Sequence, residues 1–279
     1  MIQSGNDACI VLAEGIAGTE ANFAELMNIR AKEIGLRSSN FTNSTGWPDP
    51  EHKMSSKDLI SLANRIREEY PSYYKIFDDL EFTWDNISQK NRNPLLFMNL
   101  GADGLKTGYT EEAGYGLIAS VKQNKRRVTF VITGLNSVEQ RAREAKGITT
   151  WAFKKFKLKT YFKKNSIILE APVWRGKKES VKISATNDVQ TLLATDAKEG
   201  TEMQIVLKEP LVAPLKKGQK INGHLVIKRA PLVKMGVEKK QLIFPIEVGE
   251  DLERGGLANK LATNLDILKS KLFSILGSK

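Results

Sequence analysis

Cysteine is almost absent from this chain. Its 279 residues include one, Cys9, so no internal disulfide can form. Flanked by Ala8 and Ile10, Cys9 reads as a small buried residue rather than a nucleophile. Histidine is nearly as scarce. His52 and His224 each sit in polar, turn-like sequence without metal-ligand spacing. That argues against a metal centre and against a Ser-His-Asp triad; no cofactor is expected. No apolar run is long enough to span a bilayer. Met1-Ile2-Gln3 leads straight into Ser4-Gly5-Asn6, with neither the charged nor the apolar region of a signal peptide. Acidic residues are in the minority, 32 against 43 basic ones, for a formal net charge of +11. Such a balance suggests an anionic neighbour: nucleic acid, a lipid surface or a cell-wall polymer.

What is present is ordinary globular material, 41% hydrophobic and 27% charged, with length for about two domains. Ser4 to Ile10 opens an apolar helical run that continues to Ile16. A second helix is expected from about Ala21 to Ile34, with Gly35 as its stop. Residues 38–53 are rich in Ser, Asn, Thr, Gly and Pro and read as loop. Ser55 caps a third helix that ends near Tyr70-Pro71, and residues 139–156 read as a fourth. After about Tyr161 the pattern changes to short β runs, Ile167 to Val173, Val181 to Ala185, Ile205 to Lys208, Ile221 to Ile227 and Leu242 to Ile246. Regular short strands with turn signals between them imply a small all-β domain. In the tail, Leu257, Leu261, Leu265, Leu268, Leu272, Ile275 and Leu276 recur at steps of three or four and share an arc about 100° wide. Lys260, Lys269 and Lys271 border it, the pattern of a helix lying on a membrane surface.

The stretch that organises the chain is Gly104-Leu105-Lys106-Thr107-Gly108-Tyr109-Thr110. Two β-rich runs follow it, 114–121 and 127–134, joined by the polar turn 122–126. A phosphate loop would need Gly directly before Lys-Thr, at the mouth of a helix. Leu105 stands there instead, and strands follow. A Lys-Thr-Gly that leads into a hairpin is similar to the third active-site motif of penicillin-binding proteins and serine β-lactamases. Upstream, Ser4-x-Asn6 heads a helix. Further matches are Gly46-Trp47-Pro48-Asp49-Pro50, 91–96, Arg141 with Trp151 downstream, Pro172-Val173-Trp174 and 213–219. Together they resemble the low-molecular-weight penicillin-binding proteins, the D-alanyl-D-alanine carboxypeptidase family of serine peptidases, over almost the whole chain. A class A β-lactamase shares the motifs but does not normally carry a separate all-β domain and an amphipathic tail.

The resemblance implies an α/β, β-lactamase/transpeptidase-like fold, incomplete, over residues 1–160. A small β-sandwich-like domain over 165–247 and a membrane-associating helix over 252–279 would follow. It implies removal of the terminal D-alanine from peptidoglycan peptides through an acyl-enzyme. Ser4 would relay a proton to the leaving D-alanine, and Asn6 would donate its amide to the substrate backbone. Lys106 and Thr107 would bind the terminal carboxylate, and Arg141 would add positive charge behind them. Gly108 would let the substrate lie along the strand edge. Lys106 thus stands as both a catalytic and a substrate-binding residue. Implied partners are peptides ending in D-Ala-D-Ala, β-lactams and the membrane surface. Nucleic acid is not among them, since the basic run 154–157 has no nucleic-acid motif around it. The implied setting is the periplasmic face of the inner membrane.

One departure is large. The family's first motif, Ser-x-x-Lys, lies upstream of Ser-x-Asn and supplies the nucleophile and its base. Here three residues precede Ser4. Ser72-Tyr73-Tyr74-Lys75 has the spacing but lies out of order and reads as chance. The chain is therefore expected to lack an N-terminal segment, to be inactive alone and to fold poorly over residues 1–160, while the β domain folds. A non-catalytic module binding cell-wall peptides or a partner is the alternative.

Overall fold

The computed structural model describes residues 1–195, 201–229 and 241–256. The chain divides into two compact units, Met1–Lys155 and Phe156–Lys279. The first begins with helices α1 (Asn6–Ala17) and α2 (Glu20–Glu33). A short ladder of β1 (Ser39–Asn40) and β2 (Lys53–Met54) follows, then α3 (Ser56–Glu69) and α4 (Pro71–Tyr74), with a 3₁₀ turn at Lys75–Asp78. The hairpin β3 (Glu81–Trp84) and β4 (Ile87–Lys90) and a second 3₁₀ turn, Pro94–Phe97, lead into the main sheet. Its strands are β5 (Ala102–Thr110), β6 (Gly114–Gln123) and β7 (Arg126–Leu135), and α5 (Val138–Lys155) closes the unit.

The sheet runs β5-β6-β7, antiparallel throughout. Strand β6 shows why its sequence is apolar without a gap. Successive side chains point to opposite faces of a sheet. Leu117, Ala119 and Val121 join Leu95, Phe130 and Ala145 of α5 in one core cluster. Ile118, between them, packs instead with Ala63 of α3 and with Tyr74, Phe77 and Leu105. Both faces of the strand are covered, so alternation disappears. The β6–β7 turn is two residues long, with Asn124 at φ +54°. Asn tolerates that conformation, and it suits a tight hairpin.

Helix starts follow their sequence signals in two cases. Thr19 accepts from the Asn22 N–H, and Ser55 from the Asp58 N–H, each at 3.2 Å. Helix α1 differs. Its N-cap is Gly5, without a side-chain bond, and Ser4 lies one residue outside the helix. Cys9 corrects the expectation of burial: it is exposed. The residues Ala8, Cys9, Leu12 and Ile16 share one side of α1 at 3.6 residues per turn, and all four face outward, while Ala13 is buried.

The second unit is all β among its described residues. Its main sheet has the order β12-β14-β15-β10-β9-β13. The strands are β9 (Ile167–Trp174), β10 (Ser180–Ala185), β12 (Thr201–Leu207), β13 (Leu211–Val212), β14 (Lys220–Arg229) and β15 (Gln241–Val248). A separate pair joins β8 (Phe156–Phe162) to β11 (Val189–Ala194). Strand β8 begins directly after α5, and its pairing with β11 assigns residues 156–162 to this unit. Alternate residues fill the core: Val181, Ile183 and Ala185 from β10, Leu225 and Ile227 from β14, Ile246 and Val248 from β15. The leucine series from Leu257 to Leu276 lies outside the described residues. No described helix is long and apolar enough to cross a membrane.

Candidate active site

All six residues singled out in the sequence line one cleft of the first unit, of about 820 Å³. They are Ser4, Asn6, Lys106, Thr107, Gly108 and Arg141. Four pieces of chain meet there. The segment before α1 brings Ser4, held in the left-handed region at φ +58°. A non-glycine residue is rarely kept there unless its surroundings enforce it. The first residue of α1 is Asn6. Strand β5 contributes Lys106-Thr107-Gly108, and α5 contributes Arg141.

Strand β5 pairs only with β6, so its other edge is open among the described residues. Unpaired backbone N–H and C=O groups along an edge can take up an extended peptide. A Cβ placed on Gly108 would meet nothing within 4 Å. The chain's own packing therefore does not require glycine there; the free space is available to a ligand.

The electrostatics are one-sided. Lys106, Arg92 and Arg141 line the cleft, and no described carboxylate forms an ion pair with any of them. Burial pushes the Lys106 ammonium below the ordinary lysine value, and the charges of Arg92 and Arg141 push the same way. Arg141 is 5% exposed, and the pKa of its guanidinium is likewise lowered, first by burial. Its Nη2 donates to the Arg92 carbonyl at 3.3 Å, its charge lies 5.7 Å above the Tyr115 ring, and its Nε has no hydrogen-bond partner. Lys106 Nζ donates to the Thr107 carbonyl at 2.8 Å. A cation withdrawn from water without a counter-charge is costly; an anionic ligand would relieve half-buried Lys106 and buried Arg141, with exposed Arg92 adding charge.

The sequence reading did not single out Arg92, Tyr115 or Trp47 as site residues. Trp47 sits on a loop held at both ends. Ser44 donates to Glu20 Oε1 through its N–H at 3.0 Å and its hydroxyl at 2.6 Å. At the other end the Thr42 N–H donates to His52 Nδ1 at 3.2 Å, which requires a neutral imidazole. Burial holds the His52 pKa below the ordinary 6.5. The unfolded chain then takes up this proton first, so stability falls as the pH drops below about 6.5 and levels off below the folded pKa. The protection factor of the Thr42 amide, its exchange rate relative to the intrinsic rate at the same pH, is expected to fall across that window. With His52→Gln, that pH dependence should vanish. Ser72 and Lys75 are exposed at α4 and the turn after it, and neither lines the cleft.

Comparison with known proteins places this geometry. Residues 1–137 match the D-alanyl-D-alanine carboxypeptidase family model, and residues 156–231 match the C-terminal domain of penicillin-binding protein 5. The carboxypeptidase DacC of Escherichia coli (strain K12) is 36% identical over 86% of this chain and 62% of its own length. DacA of Haemophilus influenzae is 36% identical over 98% of this chain and 68% of its own. The chain thus spans about three fifths to two thirds of the length of these curated relatives. Among solved structures, penicillin-binding protein 5 from Haemophilus influenzae superposes with a TM-score of 0.68 at 33% identity, covering 90% of this chain and 72% of that one. Penicillin-binding protein D2 from Listeria monocytogenes, solved with cefotaxime bound, gives 0.51 at 28% identity over 55% of this chain and 63% of its own. The fold is that of the penicillin-binding proteins, followed by an all-β domain. Within that class, the chain belongs to the D-alanyl-D-alanine carboxypeptidase family.

Proposed function

We propose that this protein is a serine-type carboxypeptidase that removes the terminal D-alanine of peptidoglycan peptides through an acyl-enzyme, and that its cleft recognises the substrate. The observation that carries this reading is the set of three uncompensated cations beside an open strand edge. A peptide's C-terminal carboxylate would meet Lys106, the Thr107 hydroxyl and Arg141, with Arg92 adding charge. Its backbone would pair along β5 past Gly108, and the Asn6 amide would donate to a peptide carbonyl. The Ser4 hydroxyl would pass a proton to the departing amine. Family membership supports the reaction class, and it supports β-lactams as ligands and a place at the periplasmic face of the inner membrane. Contact with that membrane through residues 252–279 is part of the proposal.

A second reading has its own observation. Among the described cleft-lining residues Ser4 is the only serine and Lys106 the only lysine, so these residues offer no second Ser-Lys pair. A protein that binds cell-wall peptides without acylation has this composition. Incubation with penicillin G followed by intact-mass measurement separates the two. Because Ser4 is placed as a proton relay and no described residue as the acyl acceptor, the measurement is made with the family's Ser-x-x-Lys segment supplied ahead of Met1. The carboxypeptidase reading then expects a stable increase equal to one penicillin per chain. Reversible binding of a D-Ala-D-Ala peptide with no mass increase under the same conditions establishes the binding module instead.

A further inference from the structure

Tryptophan is a donor-only side chain on its polar side: the indole N–H gives one hydrogen bond and accepts none. Trp47 is 58% exposed, yet its Nε1 lies 2.6 Å from a side-chain atom of Asn6. That atom must be the amide oxygen. The Asn6 nitrogen then faces the Ser4 carbonyl at 3.3 Å. An amide nitrogen carries two hydrogens, so one donor remains for a ligand. The indole is also held in place. Asn43 Oδ1 accepts from the backbone N–H of Gly46 at 2.7 Å and of Trp47 at 3.2 Å, while Asn43 Nδ2 donates to the Trp47 carbonyl at 3.1 Å. Gly46, at φ +81°, makes the turn that side chains resist.

We infer that Trp47 is a positioning residue that fixes which end of the Asn6 amide faces the cleft. The inference rests on the peptide-binding reading above and deepens it. An asparagine amide has nearly the same shape either way round, so without an external constraint it can present either oxygen or nitrogen. With the oxygen held by the indole, the nitrogen is the end left for the ligand. The cleft then favours a ligand that presents a carbonyl there, as a peptide backbone does, over one that presents an N–H.

The test compares the full chain with Trp47→Phe, which keeps an aromatic ring and removes the N–H. The chain has four tryptophans, so the Trp47 indole signal in a ¹H–¹⁵N spectrum is assigned by its loss in that variant. In the wild type this proton should exchange slowly for an exposed indole, and Asn6→Ala should abolish the protection. Binding of N-acetyl-D-Ala-D-Ala should weaken about tenfold in Trp47→Phe, the scale of one hydrogen bond's net contribution. The melting temperature should be unchanged, which a merely structural role would not allow. Equal binding by the two proteins, or rapid indole exchange in the wild type, overturns the role of Trp47 alone. Failure of the wild type to bind the peptide overturns the reading of the cleft, and this role with it.

Discussion

Lys106→Ala is expected to weaken binding of a D-Ala-D-Ala peptide about 100-fold. Losing one partner of a desolvated charge pair costs about 2–5 kcal/mol, and 100-fold corresponds to about 2.7 kcal/mol. Arg92 and Arg141 would retain part of the attraction, which keeps the loss toward the lower end. The same change should not destabilise the unliganded chain. Burial and two neighbouring cations already disfavour the Lys106 ammonium, so removing it relieves repulsion. The pH dependence follows the same sign. The folded pKa lies below the ordinary 10.5, so the unfolded chain binds more protons between the two values. Stability without ligand therefore rises with pH across that window, while carboxylate affinity falls as the ammonium is lost. Isothermal titration and thermal melts of both proteins read these effects. Unchanged affinity, or a large drop in melting temperature, would contradict the role given to Lys106.

Asp103→Ala should destabilise the first unit by about 2 kcal/mol, less than breaking a fully buried ion pair from one side, since Arg127 and Asp103 are both partly exposed. Asp103 takes two bonds from Arg127, Nη1 and Nη2 each at 2.6 Å, and one from the Tyr74 hydroxyl at 3.0 Å. Arg127 also donates to Ser120 at 2.5 Å. Burial pushes the Tyr74 hydroxyl up to about 12, so it stays a donor at neutral pH. The cluster clamps β5 near its start, where a Cβ on Gly104 would lie 3.0 Å from the Tyr74 oxygen. Removing the carboxylate leaves Arg127 charged and unpaired. Removing Arg127 as well should recover part of the loss, because the two residues share one interaction. Urea unfolding of the two single variants and the double variant measures this. Strict additivity would show that the cluster is not a coupled unit.

The way residues declare themselves explains how much of this was legible in the sequence. Lys106-Thr107-Gly108 sits on a strand, and the two-residue turn after β6 has its asparagine where the polar break suggests. The strands of the second unit match their apolar alternation because one face of each is buried. Ser4 and Asn6 lie about a hundred residues from Lys106 in sequence; only the family resemblance joined them, and the fold brings them to one cleft. The stretches 46–50 and 91–96 match the family pattern, but nothing local marks Trp47 or Arg92 as lining the cleft, because that comes from neighbours far along the chain. The hairpin β3–β4 carried a signal that was passed over. Asp85-Asn86, both at positive φ, form a two-residue turn between Glu81–Trp84 and Ile87–Lys90, a strong hairpin signature. Strand β8 was hidden because no turn residue separates it from α5, although Phe156, Leu158, Thr160 and Phe162 alternate. Cys9 misled because small apolar residues are usually buried, whereas α1 turns that side outward.

If the cationic cleft of the first unit recognises a peptide's free C-terminal carboxylate, isothermal titration of the full chain should separate N-acetyl-D-Ala-D-Ala from its C-terminal amide. Saturable binding of the acid is expected, with at least about 30-fold weaker binding of the amide, which has no charge for Lys106 and Arg141 to meet. Equal binding of acid and amide, or no binding of the acid, rules that recognition out.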